Sequence, residues 1–158
     1  IMLGYLNDPE KTKEVMHRGW YITGDIASID ENDYITITDR WTRFSKIDGE
    51  MVPHAKIEEA LQSIEKSDRL QFIVTSIPDE QKGESLVILH TIDEGKIHSI
   101  LKKLASLDLP KIYLPRFDHC IKIETLPLLG NGKIDLLKAK QIALSKMLNQ
   151  KSGLHKFL

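Results

Sequence analysis

One lysine, Lys133, stands in a short glycine-rich segment that could present a positive charge to a phosphate. Gly130 and Gly132 flank Asn131, and an Asn-Gly pair favours a tight turn. A loop lysine held in this way can offset negative charge on phosphoryl oxygens, and such preorganised charges are worth about 3 to 4 kcal/mol each. The pattern therefore predicts a lysine that stabilises a phosphoryl group during a reaction.

The same segment does not match a phosphate-binding loop of the Walker type. That loop requires a Ser or Thr directly after its lysine, where this chain has Ile134. It also requires a glycine at the position that Pro127 occupies. Lys133 is therefore not expected to cradle a triphosphate in a Walker loop.

A second chemical group is the carboxylate of Asp25, which follows Gly24 at the end of a strand-like run. Glycine has no side chain, so the backbone beside it can approach a ligand closely. One carboxylate can accept hydrogen bonds from two neighbouring hydroxyl groups at once, as a ribose presents them. Asp25 is therefore a candidate for binding the sugar of a nucleotide.

Two motifs together resemble the C-terminal region of the adenylate-forming enzymes, which include acyl-CoA synthetases, acyl-carrier-protein synthetases, peptide-synthetase adenylation domains and luciferases. Residues 19–25 read Gly-Trp-Tyr-Ile-Thr-Gly-Asp, which resembles the ribose-binding motif of this family. Residues 127–133 read Pro-Leu-Leu-Gly-Asn-Gly-Lys, which resembles its last motif. The resemblance implies that Asp25 binds the ribose of ATP or AMP and that Lys133 is the catalytic lysine.

Two segments between these motifs resemble the hinge and the mobile loop of the same family. In the segment Asp-Arg-Trp-Thr, the resemblance assigns a ribose contact to Arg40 and the hinge pivot to Thr42, although the pivot is usually Asp or Lys. Residues 43–52 resemble the loop that enters the site for the second half-reaction. The resemblance places Lys46 in that loop and lays Gly49 against the arm of a thiol substrate.

The resemblance implies a two-step ligase. A fatty acid and ATP give an acyl-adenylate and pyrophosphate, and a pantetheine thiol then displaces AMP to form a thioester. ATP and its magnesium would be held mainly by an N-terminal domain that lies outside this sequence, so the piece alone is expected to be inactive. The small domain would turn about the hinge between the two steps.

Within the family, the string Arg-Phe-Ser-Lys-Ile-Asp-Gly-Glu-Met-Val of residues 43–52 looks most like the acyl-carrier-protein synthetase part of the 2-acylglycerophosphoethanolamine acyltransferases. This likeness implies acyl carrier protein as the acceptor. It also implies a lysophospholipid substrate for the full-length protein, on the cytoplasmic side of the inner membrane. Carrier proteins are acidic, so Arg43, Lys46 and Lys56 would have to form one exposed patch.

Two alternatives stay open. The chain could come from an ordinary fatty acyl-CoA synthetase, because CoA and carrier proteins end in the same pantetheine arm. It could also be a noncatalytic docking module that has kept the fold. An exposed apolar face, with Lys133 turned away from any cleft, would favour the docking module.

Composition excludes several other classes of protein. The 158 residues carry 22 Lys and Arg against 23 Asp and Glu, so the net charge of −1 gives no reason to expect a nucleic-acid partner. The single cysteine, Cys120, rules out an internal disulfide. The histidines have no metal-ligand spacing, so we expect no metal bound by this piece. No apolar run approaches the roughly 18 residues that a membrane span needs.

Periodicity predicts the elements that position these groups. A short helix is expected from Pro9, and a β-hairpin around the acidic turn at residues 30–33. Apolar residues at helical spacing predict three helices, over residues 53–65, 97–107 and from about 134 to 148. Runs rich in β-branched residues predict three strands, over residues 70–77, 85–91 and 117–123.

These elements predict an α+β fold. We expect a small C-terminal lid domain with helices packed on a short sheet, preceded by a β-hairpin from the end of a large N-terminal domain. Residues 1–42 would form the end of the N-terminal adenylation domain and the hinge. Residues 43–150 would form the lid domain, and residues 151–158 a flexible tail.

Overall fold

A computed structural model of the chain describes residues 2–154. The chain divides into two units, Ile1–Trp41 and Thr42–Leu158. This division falls one residue before the boundary that the sequence predicts between residues 42 and 43. That the first unit is the end of an adenylation domain stays a prediction.

The first unit begins with a short helix whose start follows from its sequence. The Asp8 carboxylate accepts a hydrogen bond from the Lys11 backbone N–H at 2.9 Å. Pro9 takes the first helical position, where no N–H is needed. The elements in this part of the chain are helix α1 (Pro9–Val15) and the paired antiparallel strands β1 (Met16–His17) and β2 (Trp20–Tyr21).

The predicted hairpin is confirmed. Strands β3 (Asp25–Ile29) and β4 (Ile35–Arg40) pair in antiparallel fashion. Asp30 shapes the turn between them, because its Oδ1 accepts hydrogen bonds from the backbone N–H groups of Asn32 at 2.9 Å and Tyr34 at 3.0 Å.

No side chain among residues 2–41 is buried, so this unit has no apolar core. Large apolar side chains are instead exposed along it: Leu6, Trp20, Ile29, Tyr34, Ile35 and Ile37. Burial of apolar surface is the main favourable term that offsets the conformational entropy of folding. We therefore expect the first unit not to fold by itself.

The second unit is built on a five-stranded sheet with β8 at its centre. Its strands are β5 (Phe44–Ile47), β6 (Glu50–Pro53), β7 (Phe72–Asp79), β8 (Gly83–His90) and β9 (Cys120–Lys122). Strand β7 pairs antiparallel with β8 along its whole length. On the other edge of β8, Ile47 of β5 pairs with Gly83, and β9 runs parallel to Ile88 through His90. The hairpin β5–β6 and strand β9 thus occupy opposite ends of one edge.

Helices cover both faces of this sheet. Helices α2 (His54–Glu65) and α3 (Glu94–Ala105) pack with one set of buried strand residues: Phe72, Val74, Leu86 and Ile88. Helix α4 (Leu136–Leu154) packs with the alternate set: Ile73, Ile77, Val87 and Leu89. Successive strand residues point to opposite faces, so the uninterrupted apolar runs in β7 and β8 supply both cores. The predicted α+β fold is confirmed.

Three details differ from the sequence prediction. The hairpin β5–β6 was not predicted, although its turn, Asp48-Gly49, is a strong hairpin signal. The predicted strand over residues 117–123 begins instead with a 3-10 turn, Phe117–His119. The closing helix runs past residue 148 into the predicted tail, of which residues 155–158 lie outside the described part of the chain. None of the described helices is long and apolar enough to span a bilayer.

Candidate functional site

Asp25 and Arg40, the two residues predicted to contact a ribose, form an ion pair in the first unit. Arg40 Nε lies 2.8 Å from Asp25 Oδ1, and the two residues are direct partners across β3 and β4. The Asp25 side chain is 19% exposed and that of Arg40 is 63% exposed. The structure therefore brings together a carboxylate acceptor and a guanidinium donor, which is a combination that can bind vicinal hydroxyl groups.

The backbone around Gly24 holds this pair in place. Gly24 has a φ of 74°, in the left-handed region that favours glycine, and its carbonyl accepts a hydrogen bond from the Trp41 N–H at 2.7 Å. The Thr23 carbonyl accepts a hydrogen bond from Arg40 Nη1 at 3.2 Å, while Thr23 Oγ1 accepts one from the Asp25 N–H at 3.1 Å. The Arg40 side chain and the Asp25 backbone are thus both hydrogen-bonded to Thr23.

Lys133 lies on a tight, exposed turn of the second unit. The Leu129 N–H donates to the Lys133 carbonyl at 2.7 Å, and the Gly132 N–H donates to the Leu129 carbonyl at 2.8 Å. Asn131 Oδ1 accepts a hydrogen bond from the Lys133 N–H at 3.1 Å. Gly132 has a φ of 79°, which explains the need for glycine there. Within residues 2–154, no carboxylate pairs with the Lys133 ammonium, so its charge is available to a ligand.

This turn is tied to the start of helix α4. Leu128 and Ile134 form an antiparallel bridge at the base of the turn, and the Asp135 N–H donates to the Pro127 carbonyl at 2.9 Å. The Asp135 carboxylate accepts a hydrogen bond from the Lys138 N–H at 3.0 Å, as the residue before a helix commonly does. The position of Lys133 is therefore set by a helix that packs on the sheet.

Lys46 and Gly49, the predicted thiol-loop residues, belong to the β5–β6 hairpin. Lys46 is exposed on β5, and Gly49 is in the turn. Asp48 and Gly49 have φ values of 51° and 87°, and two central residues with positive φ are typical of a type I′ turn. A side chain at Gly49 would meet nothing within 4 Å. The backbone conformation therefore favours glycine here, while the space around it does not demand one.

A groove lies between this hairpin turn and the turn that joins β7 to β8. Its volume is about 440 Å³, and it is lined by Lys46, Asp48, Gly49, Gln81, Lys82, Gly83 and Glu84. The second wall is held by Asp79, whose Oδ1 accepts hydrogen bonds from the N–H groups of Gln81 and Lys82, each at 3.0 Å. These hydrogen bonds lower the pKa of the Asp79 carboxyl, and the bond from Lys82 has the larger effect. The two predicted thiol-loop residues thus line the same open groove.

Thr42, the predicted hinge pivot, is exposed in a 3-10 turn, Trp41–Arg43. The division between the two units falls between Trp41 and Thr42. Its role as a pivot stays a prediction.

Arg43 is not a free member of an exposed cationic patch. Its side chain is 27% exposed and forms an ion pair with Glu58 of helix α2. Glu58 is 8% exposed, and its Oε1 also accepts a hydrogen bond from the Val74 N–H at 2.9 Å. Of the three residues proposed to meet an acidic carrier protein, only Lys46 and Lys56 have exposed side chains. Arg43 is therefore not an exposed member of the predicted patch, and the patch itself stays a prediction.

Sequence reasoning missed the buried polar residues beside the hinge. Ser45 and His54 are both buried, with Ser45 Oγ 2.6 Å from His54 Nε2. His54, Glu58 and Leu61 follow one another at intervals of four and three residues, so they share the inward face of helix α2. This spacing could have identified two polar residues on the apolar stripe and so predicted internal hydrogen bonds.

The remaining reactive groups have structural surroundings. Burial, with a smaller effect from the Asp118 charge, raises the pKa of Cys120 to about 12, so this thiol stays protonated near neutral pH. Burial also lowers the pKa of His90. In the part of the chain that the structure describes, no cluster of three or more His, Cys, Asp or Glu could hold a metal ion.

No family model matches the chain, but individual proteins do. The chain is 35% identical over 141 residues to 4-coumarate–CoA ligase 1 of Solanum tuberosum, covering 85% of this chain and 24% of that protein. It is 28% identical over 159 residues to 4-hydroxybutyrate–CoA ligase 2 of Metallosphaera sedula, covering 96% of this chain and 27% of that protein. The chain thus spans about a quarter of the length of these curated relatives.

Among solved structures, the chain is again similar to about a quarter of each longer protein. A fatty acyl CoA synthetase of Mycobacterium tuberculosis is 28% identical with a TM-score of 0.57, over 88% of this chain and 27% of that one. The amide bond synthetase McbA of Marinactinospora thermotolerans is 25% identical with a TM-score of 0.61, over 89% and 28%. ATP-bound MatB of Rhodopseudomonas palustris, at 24% identity and a TM-score of 0.67 over the same shares, shows the fold alone.

Proposed function

We propose that this chain is part of an ATP-dependent acid–thiol ligase. The proposal is supported by its match, in sequence and in fold, to the C-terminal domain of AMP-binding acyl- and aryl-CoA ligases. In that enzyme it would supply the catalytic lysine, two ribose contacts and the loop that meets the thiol substrate. The named relatives are about four times as long as the aligned segment. The activity is therefore proposed for a longer protein that contains this chain.

One observation carries the proposal. The motifs assign Asp25 and Arg40 to the same ribose, although 14 residues separate them in the chain, and the hairpin places their charged groups 2.8 Å apart. An ion pair of a strand carboxylate with an opposite arginine is ordinary on a sheet surface. Here the ion pair joins the two residues that the motifs assign to the same ribose. Both side chains are partly exposed and could contact a ligand.

In the first step, the carboxylate of the acid attacks the α-phosphorus of ATP. The bond to pyrophosphate breaks, and an acyl-adenylate forms. Negative charge grows on the phosphoryl oxygens during this step, and the exposed ammonium of Lys133 offsets it. Asp25 and Arg40 hold the ribose, so that the α-phosphate stays in line with the acid.

In the second step, a pantetheine thiol attacks the acyl carbonyl and AMP leaves. Lys46 and Gly49 line the path of the thiol arm. Rotation about Thr42 replaces the Lys133 turn of the first step with the Lys46 hairpin in the second. Magnesium would accompany ATP, held by parts of the longer protein outside the described residues. The reuse of one domain for two steps is a hinge transition.

We favour CoA as the thiol substrate and a fatty acid as the acid. The 4-coumarate and 4-hydroxybutyrate relatives are named as CoA ligases, and the mycobacterial structure as a fatty acyl CoA synthetase. The pairing of Arg43 with Glu58 also removes one cation from the patch that an acidic carrier protein would need.

Transfer to acyl carrier protein is the second candidate. It is supported by the string of residues 43–52, which resembles the acyl-carrier-protein synthetase part of a lysophospholipid acyltransferase. This candidate brings with it a lysophospholipid substrate and a place at the cytoplasmic side of the inner membrane.

The test is release of AMP by the full-length protein. ATP and a long-chain fatty acid are supplied with either CoA or holo acyl carrier protein. Turnover with CoA supports the favoured function, whereas turnover with the carrier protein alone supports the second candidate. Absence of AMP with either acceptor, across acids of several lengths and an aryl acid such as 4-coumarate, would contradict both and favour a docking module.

A further inference from the structure

We infer that Glu84 is a positioning residue for the thiol step, because it fixes the hairpin that carries Lys46 and Gly49; this inference rests on the proposed function. Glu84 is the second residue of β8, and its side chain lines the groove beside that hairpin. The side chain is 27% exposed, so the carboxylate is largely withdrawn from solvent.

The Glu84 carboxylate links strand β8 to three other elements. Its Oε2 accepts a hydrogen bond from the Lys46 backbone N–H on β5 at 2.7 Å. Its Oε1 accepts a hydrogen bond from Ser76 Oγ on β7 at 2.6 Å and lies 3.7 Å from Lys140 Nζ on α4. One side chain therefore joins the thiol-loop hairpin to the sheet and to the helix that follows the Lys133 turn.

This link matters because the hairpin is attached to β8 over a very short length. The strand pairing between β5 and β8 consists of Ile47 with Gly83, and the Asp48 N–H donates to the Lys82 carbonyl at 3.0 Å just beyond it. The bond from the Lys46 N–H extends this attachment by one residue, with a side-chain carboxylate in place of a backbone carbonyl. Hydrogen bonds to an ionised acceptor are shorter and stronger than neutral ones.

The geometry at Gly83 explains why a side chain takes this place. Gly83 has a φ of 82°, and a Cβ there would lie 3.2 Å from the Lys46 carbonyl oxygen. The two backbones thus approach closely at Gly83, and the pairing of β5 with β8 does not continue beyond it. Glu84 then holds Lys46 from the following position. Loss of its carboxylate should loosen Lys46 and the turn at Gly49 together.

The three contacts of Glu84 differ in weight. Lys140 is 47% exposed, and an ion pair at 3.7 Å with such exposure contributes little. The bonds from Ser76 and Lys46 are short and partly shielded, so they should account for most of the effect. We therefore expect Lys140→Met to change the reaction far less than Glu84→Ala.

The experiment measures both half-reactions in the full-length protein. Adenylate formation is followed by pyrophosphate exchange, and thioester formation by release of AMP from supplied acyl-adenylate over a range of CoA concentrations. Glu84→Ala should lower kcat/KM for CoA on the order of tenfold, with adenylate formation unchanged. Glu84→Gln keeps a neutral acceptor and should lose less. Glu80→Gln, an exposed change on the β7–β8 turn, is the matched control.

Each outcome bears on a different claim. Equal losses in both half-reactions would mean that Glu84 only stabilises the fold, and no loss in either would also overturn the inference while the proposed function stands. A wild-type protein that forms no adenylate would instead refute the proposed function, and the inference with it. If Glu84→Ala unfolds, Glu84→Gln decides between these outcomes, with faster hydrogen exchange in residues 44–50 as the sign of a loosened hairpin.

Discussion

Lys133 combines a fixed backbone with a charge that no carboxylate of residues 2–154 pairs with, and these two properties have separate origins. The backbone is fixed by the Asn131 side chain, the Leu129 hydrogen bonds and the helix start at Asp135. The charge is available because none of the ion pairs among the described residues includes Lys133. A lysine of this kind suits a step in which negative charge grows on a phosphoryl group.

Replacing Lys133 by alanine should therefore affect the two half-reactions unequally. We expect Lys133→Ala in the full-length protein to slow adenylate formation about 100-fold to 1,000-fold, because one preorganised charge is lost. Thioester formation from supplied adenylate should change far less. Lys138→Ala, five residues further along at an exposed site, is the control. Equal losses in both steps would refute the role assigned to Lys133.

His90 gives the fold a dependence on pH. It is 1% exposed, its Nδ1 has no hydrogen-bond partner among the described residues, and burial lowers its pKa. A backbone hydrogen bond at Ile92 raises the pKa and offsets part of this effect, the Lys122 charge lowers the pKa, and the Glu94 charge raises it. The unfolded chain then binds the proton more readily than the folded chain.

The stability that neutral His90 provides should be complete above its unfolded pKa, about 6.5, and should decline as the pH falls below that value. We expect the unfolding free energy to fall less between pH 7.5 and 5.5 in His90→Gln than in the wild-type chain. Denaturant titration at several pH values measures this. His17→Gln, at an exposed site, should follow the wild type, and a parallel decline for His90→Gln would contradict the assignment.

At the scale of elements, Gly49 in the β5–β6 hairpin has two separable roles, the backbone conformation of the turn and the proposed contact with the thiol substrate. Gly49 has positive φ, and a Cβ at this position would meet no atom beyond its chain neighbours within 4 Å. The only structural requirement at this position is therefore a left-handed backbone conformation. Asparagine enters that conformation more readily than other residues with a side chain. Substitution can therefore test the ligand role without breaking the turn.

Gly49→Asn should keep the unfolding midpoint close to that of the wild type, whereas Gly49→Val should lower it, because a β-branched residue is strained at positive φ. If the thiol arm passes over Gly49, Gly49→Asn should still raise the KM for CoA. Thermal unfolding and CoA titration of the full-length protein give the two readouts. An unchanged KM would remove Gly49 from the thiol path.

At the scale of the whole molecule, all the buried apolar side chains of the described chain belong to the second unit, from Ile47 to Met147. Two cores on opposite faces of one sheet give that unit the means to fold by itself. The first unit has hydrogen-bonded turns and exposed apolar strands. The two units should therefore differ in independent stability.

A polypeptide of residues 42–158 should unfold in one cooperative transition. Its midpoint temperature should be close to that of the main unfolding transition of the full chain. A polypeptide of residues 1–41 should show no such transition, because it buries too little apolar surface. Circular dichroism and amide proton dispersion measure both. A cooperative transition in residues 1–41 would show that its strands are stable without further covering.

The sequence by itself determined the elements whose cause is local. Asp8 and Pro9 start a helix, the acidic turn at Asp30 closes a hairpin, and apolar residues at helical spacing mark α2 and α3. It also indicated the candidate site residues, because Asp25, Arg40 and Lys133 lie in short contiguous motifs. Helix caps, turns and periodicity act over a few residues, so they can be read without the fold.

Only the tertiary structure decided which distant groups meet. Arg43 is paired with Glu58, and Glu84 with the backbone of Lys46, across 15 and 38 residues of chain. Such contacts depend on strand order and register, which no local pattern specifies. The two strand faces and their helices were likewise fixed by long-range packing. The candidate site residues could thus be proposed from sequence motifs, whereas the groups that hold them became visible only in the folded chain.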